Sequence, residues 1–429
     1  MDIIRRSIPC FPLDLGCSRQ LLACCASILL LVSGCSFGPR HLLQTRLPYN
    51  DAIKKTGEQQ LLLNLVRLRY VDTPSSLAIS AIADQQEVAG GVQATPFFTG
   101  AATGDAFLFR GSVLPQIGWN RASRPTLSYT PMDDEEFTRR LFTPISLNGV
   151  AYLSRTTWPI STVFRLYLEN LNWVSNAETA SGPTPTAPPD YQQFLDGVIA
   201  LQRLQDRQVI TLCSQEREDS VPAELVQGHV SVSDALECFR DSIELRTSDR
   251  GVDLVKRTMQ PVMRVAPIDP ADSDWLDFTQ AFHLDPAART LDLTSDRSDP
   301  YQENKPAEGY RSLDVETRSL QQVLFFAAHG IEVPAQHLAC GLAPTTRNPD
   351  GSLFDWNQVL AGLLHVCHAS GRHPPEQAAV AVYYRDHWFY IDGRDHQSKA
   401  TFALLLEVSR LELPESKPTG PLLTLPVGR

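Results

Sequence analysis

No phosphate-binding loop and no G-x-G-x-x-G dinucleotide fingerprint occurs in the sequence, so nothing supports a bound nucleotide or nicotinamide cofactor. Paired CxxC motifs and the H-E-x-x-H helix motif are also missing, which removes the strongest patterns for a zinc centre. No cysteine stands in an activating context for covalent catalysis. Basic residues are in deficit: 38 Lys and Arg against 49 Asp and Glu leave a formal net charge of −11. Counterion release on a nucleic-acid backbone needs clustered cations, so no nucleic-acid partner is expected, and an anionic lipid surface is not the main attachment either. The longest apolar run, from Leu21, breaks after about a dozen residues, short of the ~20 that a permanent membrane-spanning helix needs. No internal repeat of fixed period is present.

What the amino end does contain is ordered. Arg5, Arg6 and Arg19 precede the apolar Leu21–Leu30, a basic segment followed by a hydrophobic one, as in a secretory signal. Small residues then lead to a cysteine, in Leu31-Val32-Ser33-Gly34-Cys35. This stretch resembles the lipobox of bacterial lipoprotein precursors. The resemblance implies removal of residues 1–34, a diacylglycerol on the Cys35 sulfur and a further fatty acid, such as palmitate, on its new amino group. Several acyl chains, at about 0.8 kcal/mol per buried CH₂, hold a protein on a bilayer where a single chain is marginal. Ser36 stands where inner-membrane members often have Asp, which implies lipid anchoring in the outer membrane, facing the periplasm.

In the body, residues 35–55 read as a tether. Thr56-Gly57-Glu58-Gln59 matches a capping box that opens a helix with Leu61, Leu62, Leu65, Val66 and Leu68 on its apolar face, stopped by Thr73-Pro74. From Ser75 to Thr130 the period falls to two and glycines multiply. Leu77–Ala83, Val88–Ala94 and Pro125–Thr130 read as strands, and Phe107, Phe109, Gly111, Val113, Pro115, Ile117 and Trp119 occupy every second position. Two readings stay open. One is a bent antiparallel sheet covered by helices, with Pro115 and the glycines at bulges or an edge. The other is amphipathic strands of membrane-spanning length that enter the outer membrane as one subunit's share of an oligomeric barrel.

Helical spacing returns after the acidic Asp133–Glu136, again over 146–154, and after Pro159 with Ile160, Val163, Tyr167, Leu168 and Leu171 inward and Glu169 and Asn170 on the flank. The Pro-rich residues 175–189 form a linker or exposed loop. A helix over Tyr191–Leu204, a strand at Val209–Leu212, a helix after Ser231 and a hairpin within Val252–Val265 follow. A polar loop at 294–310 leads to a helix from Val315 to Ala328 closed by Gly330. Strands Ala379–Tyr384 and Trp388–Asp392 flank Arg385-Asp386-His387, and Ser398 caps a helix Lys399–Leu411. The expected fold is α+β: helices packed on an antiparallel, Gly-rich sheet region, with a C-terminal β-hairpin plus helix unit. Regions 56–174, 190–293 and 294–412, the last containing the hairpin 379–392, are followed by an extended tail at 413–429.

Beyond Cys35 the chain keeps Cys213, Cys238, Cys340 and Cys367. Pairing Cys213 with Cys238 and Cys340 with Cys367 closes short loops, each worth about 3–4 kcal/mol on the loop-entropy model; free thiols are the equal alternative. His365 and His368 lie three residues apart on an expected helix, a spacing that can hold a metal with His337, His373 or Asp395. Unmatched histidines are ordinarily surface or core residues, so no metal and no cofactor is assigned. Tyr383, Tyr384, Trp388, Phe389 and Tyr390 beside Asp392, Arg394 and Asp395 suit either a sugar contact or cross-strand packing. No catalytic residue is assigned. The expected function is a non-catalytic binding, scaffolding or assembly role in the cell envelope, with envelope proteins or further copies as partners. An export or secretion component whose 76–130 strands join an oligomeric barrel is the second expectation, and a metal-assisted envelope hydrolase the third.

Overall fold

The computed structural model describes residues 37–75, 77–103, 106–131, 135–156, 158–221, 240, 243–248, 251–295 and 309–412, and the chain divides into two compact units, residues 1–58 and 59–429. The signal segment with Cys35, the helix read after Ser231, Cys238, most of the 294–310 run and the tail 413–429 lie outside the described residues.

Helix α1 (Phe37–Arg69) begins where a tether was expected. Thr56 is therefore interior and not a cap: its Oγ1 donates to the carbonyls of Ala52 at 2.8 Å and Ile53 at 3.0 Å, the way a threonine satisfies its hydroxyl when the preceding turn is also helical. In the second unit the helix buries Leu61, Leu62, Leu65, Val66 and Leu68, the apolar face read from the sequence.

Strands β1 (Leu77–Thr103) and β2 (Ala106–Pro131) pair antiparallel along their whole length, with one irregularity between Ile79 and Ala81. The Gly-rich region is thus antiparallel as read, but it makes a two-stranded sheet of its own. The helices pack on a different sheet. Helices α2 (Glu135–Phe142), α3 (Leu147–Ser154) and α4 (Ile160–Tyr167) lead to β3 (Leu168–Leu171) and β4 (Val174–Ser175). Ser146 caps α3 by accepting the Gly149 N–H at 3.1 Å, and α2 opens on Glu135 and Glu136, where carboxylates complement the helix dipole. Next come α5 (Gln192–Asp206), β5 (Ile210–Val221), β6 (Ile243–Ser248), β7 (Gly251–Val265), α6 (Ser273–Ala281), β8 (Thr290–Thr294), β9 (Ser312–Thr317) and α7 (Leu320–Ala328). The sheet runs β4-β3-β9-β8-β7-β5 with β6 also on β7; β8 and β9 are parallel and the other pairs antiparallel. The fold is α+β.

Val315 was expected in a helix and lies instead in β9. Leu313 and Val315 are buried at alternate positions between β3 and β8, so lateral strand partners decide a short apolar run whose periodicity is ambiguous. α7 starts at Leu320, held by a reciprocal capping box between Ser319 and Gln322. Between α5 and α6 the rings of Phe194 and Phe282 lie 5.6 Å apart, and those of Phe278 and Phe282 5.5 Å. Gly197 permits that approach, since a Cβ there would sit 2.5 Å from the Phe282 ring.

The Pro-rich stretch 175–189 is no spacer between folded units. Arg318 is wholly buried, and its guanidinium donates to Ser181 Oγ at 2.8 Å, to the carbonyls of Arg165 at 2.9 Å and Leu166 at 3.2 Å, and to the carbonyl of Asn176. Arg69 is also buried and donates to Thr184 Oγ1 at 3.1 Å and the Pro344 carbonyl at 3.0 Å. The same loop is pinned from a second side, where Thr346 Oγ1 donates to the Pro185 carbonyl at 2.6 Å.

Helices α8 (Ala335–Ala339) and α9 (Asn357–Leu360) precede β10 (Cys367–Ala369), β11 (Ala378–Tyr384), β12 (His387–Asp392) and α10 (His396–Glu412). The three strands form an antiparallel sheet in the order β10-β12-β11. Arg385 and Asp386, at φ 46° and 64°, make a two-residue hairpin of the type that needs positive φ at both positions, so His387 belongs to the strand. Asp395 caps α10, accepting the Ser398 N–H at 2.9 Å; Ser398 lies inside the helix. Among the described residues no helix is long and apolar enough to cross a membrane.

Candidate functional site

Two features remain after the core is accounted for: the long ribbon and a histidine-rich corner of the C-terminal sheet. The ribbon is defined by its register. Residues directly opposite in an antiparallel pair share a face. Phe107, Phe109, Gly111, Val113, Pro115, Ile117 and Trp119 stand opposite Ala102, Gly100, Phe98, Pro96, Ala94, Val92 and Gly90. One face is therefore apolar without interruption over this stretch. The other carries Arg110 with Thr99, Ser112 with Phe97, Gln116 with Gln93 and Asn120 with Ala89, interrupted by Leu108 with Ala101, Leu114 with Thr95 and Gly118 with Gly91. From Phe109 to Trp119 the strand rises about 34 Å, at ~3.4 Å per residue; tilted by ~45° it spans about 24 Å, close to the ~25 Å apolar band of outer-membrane barrels, which aromatic girdles flank. β1 has 27 residues and β2 has 26, where strands usually have about 5–6. Among the described residues neither strand pairs with any third strand, so both outer edges present unpaired backbone groups.

In the C-terminal sheet the segment after α7 runs beside β10. Ile331 and Val366 form a parallel bridge, the Glu332 N–H donates to the Val366 carbonyl at 2.9 Å and the Val366 N–H to the Gly330 carbonyl at 2.9 Å. Gly330 serves this close approach and not the expected helix cap: a Cβ on it would lie 2.4 Å from the Leu364 carbonyl oxygen. Ile331 and Val366 are buried, so the alternation of extended backbone turns Glu332, His365 and Cys367 to the opposite side. Their donor atoms all lie within 4.8 Å of one another, and Cys367 Sγ is 3.7 Å from His365 Nδ1. The Ser398 hydroxyl accepts the His365 N–H at 2.8 Å and donates to Asp395 at 2.6 Å. Burial and the nearby Glu332, Asp392 and Asp395 carboxylates push the Cys367 thiol up.

The helix expected to carry His365 and His368 is extended backbone instead, which separates them onto different faces. His368 Nδ1 is 3.5 Å from Glu332 Oε2, and its ring lies 6.1 Å from that of His387. His387 is 4.7 Å from His337, whose Nδ1 is 2.7 Å from the Tyr70 hydroxyl. His337 is held below the usual histidine range by burial and by His387, Arg385 and His368, against an opposing pull from Asp386. Burial pushes the Tyr70 hydroxyl up to about 12. His373 is exposed on the Gly371-Arg372-His373 turn, and Asp395 is committed to α10. The ligand partners offered by sequence spacing are thus not assembled, whereas Glu332 and Cys367, which spacing did not nominate, are. Cys213, Cys340 and Cys367 are free thiols, so the Cys340–Cys367 bridge is not made. The hairpin aromatics pack: the tilted rings of Tyr383 and Trp388 lie 5.2 Å apart across the strands, and Phe389 and Tyr390 are buried. Glu169, placed on a flank by the sequence, is buried and accepts from Gln322 Nε2 at 3.3 Å. Asn170 lines an open cleft of about 400 Å³ with Trp173, Asp314 and Glu316. A G-x-S-x-G string does occur at Gly34–Gly38, overlapping the lipobox, and its serine Ser36 lies outside the described residues.

His329 differs from the other histidines in being enclosed. Its Nδ1 is 2.8 Å from the Phe325 carbonyl, its ring lies 3.9 Å from Trp356, and its Nε2 is buried with no partner among the described residues. Burial, aided by Arg69 and Arg318, lowers its pKa to about 3, against weaker opposing hydrogen bonds to the Phe325 and Phe326 backbone. An unfolded histidine titrates near ~6.5, so the folded form loses stability as pH falls from there toward 3, by on the order of 1 kcal/mol per pH unit. Urea midpoints measured between pH 7 and 4 are expected to fall less steeply in His329→Phe than in the parent; equal slopes would assign the acid sensitivity to other groups.

Compared with protein-family models, with curated proteins and with solved structures, the chain gives no match.

Proposed function

We propose that this chain is an outer-membrane lipoprotein, anchored through Cys35 and facing the periplasm, whose β1–β2 ribbon pairs edge to edge with those of further copies to build an oligomeric barrel. Its role in the cell envelope is one of assembly, in the form of an export or secretion conduit, without chemistry of its own. The observation that carries this reading is the register of the ribbon, which sets the alternating apolar positions Phe107 to Trp119 of β2 opposite Ala102 to Gly90 of β1, a stretch comparable in length with the apolar band of a membrane barrel. Two further arguments support it. A two-stranded ribbon is marginal by itself in water and gains stability from added strands, and closure into a barrel is the arrangement that leaves no strand edge open. With two strands per chain, and about eight the smallest membrane barrel, roughly four copies or more are required.

Labelled palmitate supplied to cells is expected to enter the parent protein and not Cys35→Ala; absence of label from the parent removes the anchor. In detergent extracts, unboiled samples are expected to migrate as an oligomer that dissociates on heating. Recovery of the membrane-extracted parent only as a monomer overturns the barrel.

A further inference from the structure

We infer that Glu332, His365 and Cys367 form a binding site for a zinc-class divalent cation, with three protein ligands and a fourth position open to solvent. The site is independent of the membrane reading, being built in the C-terminal sheet.

The donor set is one oxygen, one nitrogen and one sulfur, which suits a borderline-soft ion and disfavours calcium or magnesium, whose ligands are oxygens. The geometry is close to what coordination needs. Tetrahedral bonds of about 2.3 Å to sulfur and 2.0 Å to nitrogen put the two donors about 3.5 Å apart, and Cys367 Sγ and His365 Nδ1 are 3.7 Å apart. All three donors fall within 4.8 Å of one another, so a small rotation of Glu332, whose side chain is half exposed, completes the set. The backbone is fixed on both sides. The Ile331–Val366 bridge locks Glu332 beside Cys367, and the Ser398 hydroxyl, oriented by Asp395, holds the His365 N–H. His368 Nδ1, 3.5 Å from Glu332 Oε2, is placed to orient the carboxylate from outside the ligand set, as outer-shell partners of metal ligands do.

The test uses the full-length protein purified in detergent, stripped with chelator under reducing conditions and titrated with Zn²⁺ and, separately, Co²⁺. One equivalent is expected to bind, and the cobalt form to show a thiolate-to-metal charge-transfer absorption. Cys367→Ser should abolish that absorption and weaken zinc binding at least tenfold. His365→Ala, at an exposed side chain that leaves the core untouched, should weaken binding similarly while the urea midpoint of the metal-free protein stays put. Cys340→Ser and His373→Ala should bind as the parent does. Failure of the parent to bind a stoichiometric ion overturns the proposal, as does binding that survives both Cys367→Ser and His365→Ala.

Discussion

Arg318→Met is expected to remove most of the stability of the second unit. The arginine has no exposed atoms, and its guanidinium lies 4.1 Å from the centre of the Phe326 ring. Among the described residues no carboxylate is paired with it directly. Its charge is met by backbone dipoles: the carbonyls of Arg165 and Leu166 at the end of α4, where helix carbonyls lack internal partners, the Asn176 carbonyl and the Ser181 hydroxyl. Burial lowers its pKa to about 9, with Glu169 and Glu178 pulling the other way, so it remains charged at neutral pH. Methionine fills similar volume but takes the Arg318 donors from the Leu166 and Asn176 carbonyls and the Ser181 hydroxyl, while the Arg165 carbonyl keeps Asn176 Nδ2 at 2.9 Å. Each stranded group costs about 1–3 kcal/mol, and stripping one side of a buried charged network typically costs about 3–5 kcal/mol. Against a total of about 5–15 kcal/mol for a folded domain, that loss should shift the urea midpoint far down or leave no folded fraction. Arg318→Lys, which keeps the charge and loses the planar fork, should fall between. A midpoint within about 0.5 kcal/mol of the parent, the range of ordinary surface substitutions, would show that the acceptors find other donors.

The same arginine explains where sequence reading stopped. Elements with their own periodicity were legible: the Leu61–Leu68 face, the short helix over 146–154, Pro159 before α4, and the terminal hairpin. What escaped was decided by distant partners. Residues 175–189 have the composition of a linker, yet Arg69 and Arg318 bind that loop from 115 and 137 to 142 positions away. Val315 and Leu168 sit in apolar runs whose helical or extended state depends on strands elsewhere. The histidine cluster was visible as a density of residues, but its geometry was not. His365 and His368 were paired on helical spacing, whereas extended backbone pairs His365 with Cys367, and a glycine-permitted contact brings in Glu332. For the ribbon, alternation along β2 was plain from the sequence. That β1 supplies Gly90, Val92, Ala94, Pro96, Phe98, Gly100 and Ala102 to the same face required the register.

That register makes the membrane reading testable by a single charge. Val113 lies near the middle of the stretch between Phe109 and Trp119, on the uniformly apolar face, opposite Pro96. If this face meets lipid, Val113→Arg places a cation near the bilayer midplane, where it costs about 2–4 kcal/mol per chain. The cost recurs in every copy, so an assembly of roughly four or more chains loses most of its heat-resistant oligomer. On the same reading Gln116→Arg, on the opposite face level with Gln93, points away from lipid and should leave the oligomer intact. Ile117→Arg, closer to Trp119, should fall between, since the penalty declines toward the interface. Unboiled gels of the three variants, made at matched expression, separate the alternatives. A covered sheet inside a water-soluble assembly has no depth dependence, so equal losses at Val113 and Ile117 would argue for ordinary packing. Tolerance of arginine at Val113 would remove lipid from that face altogether.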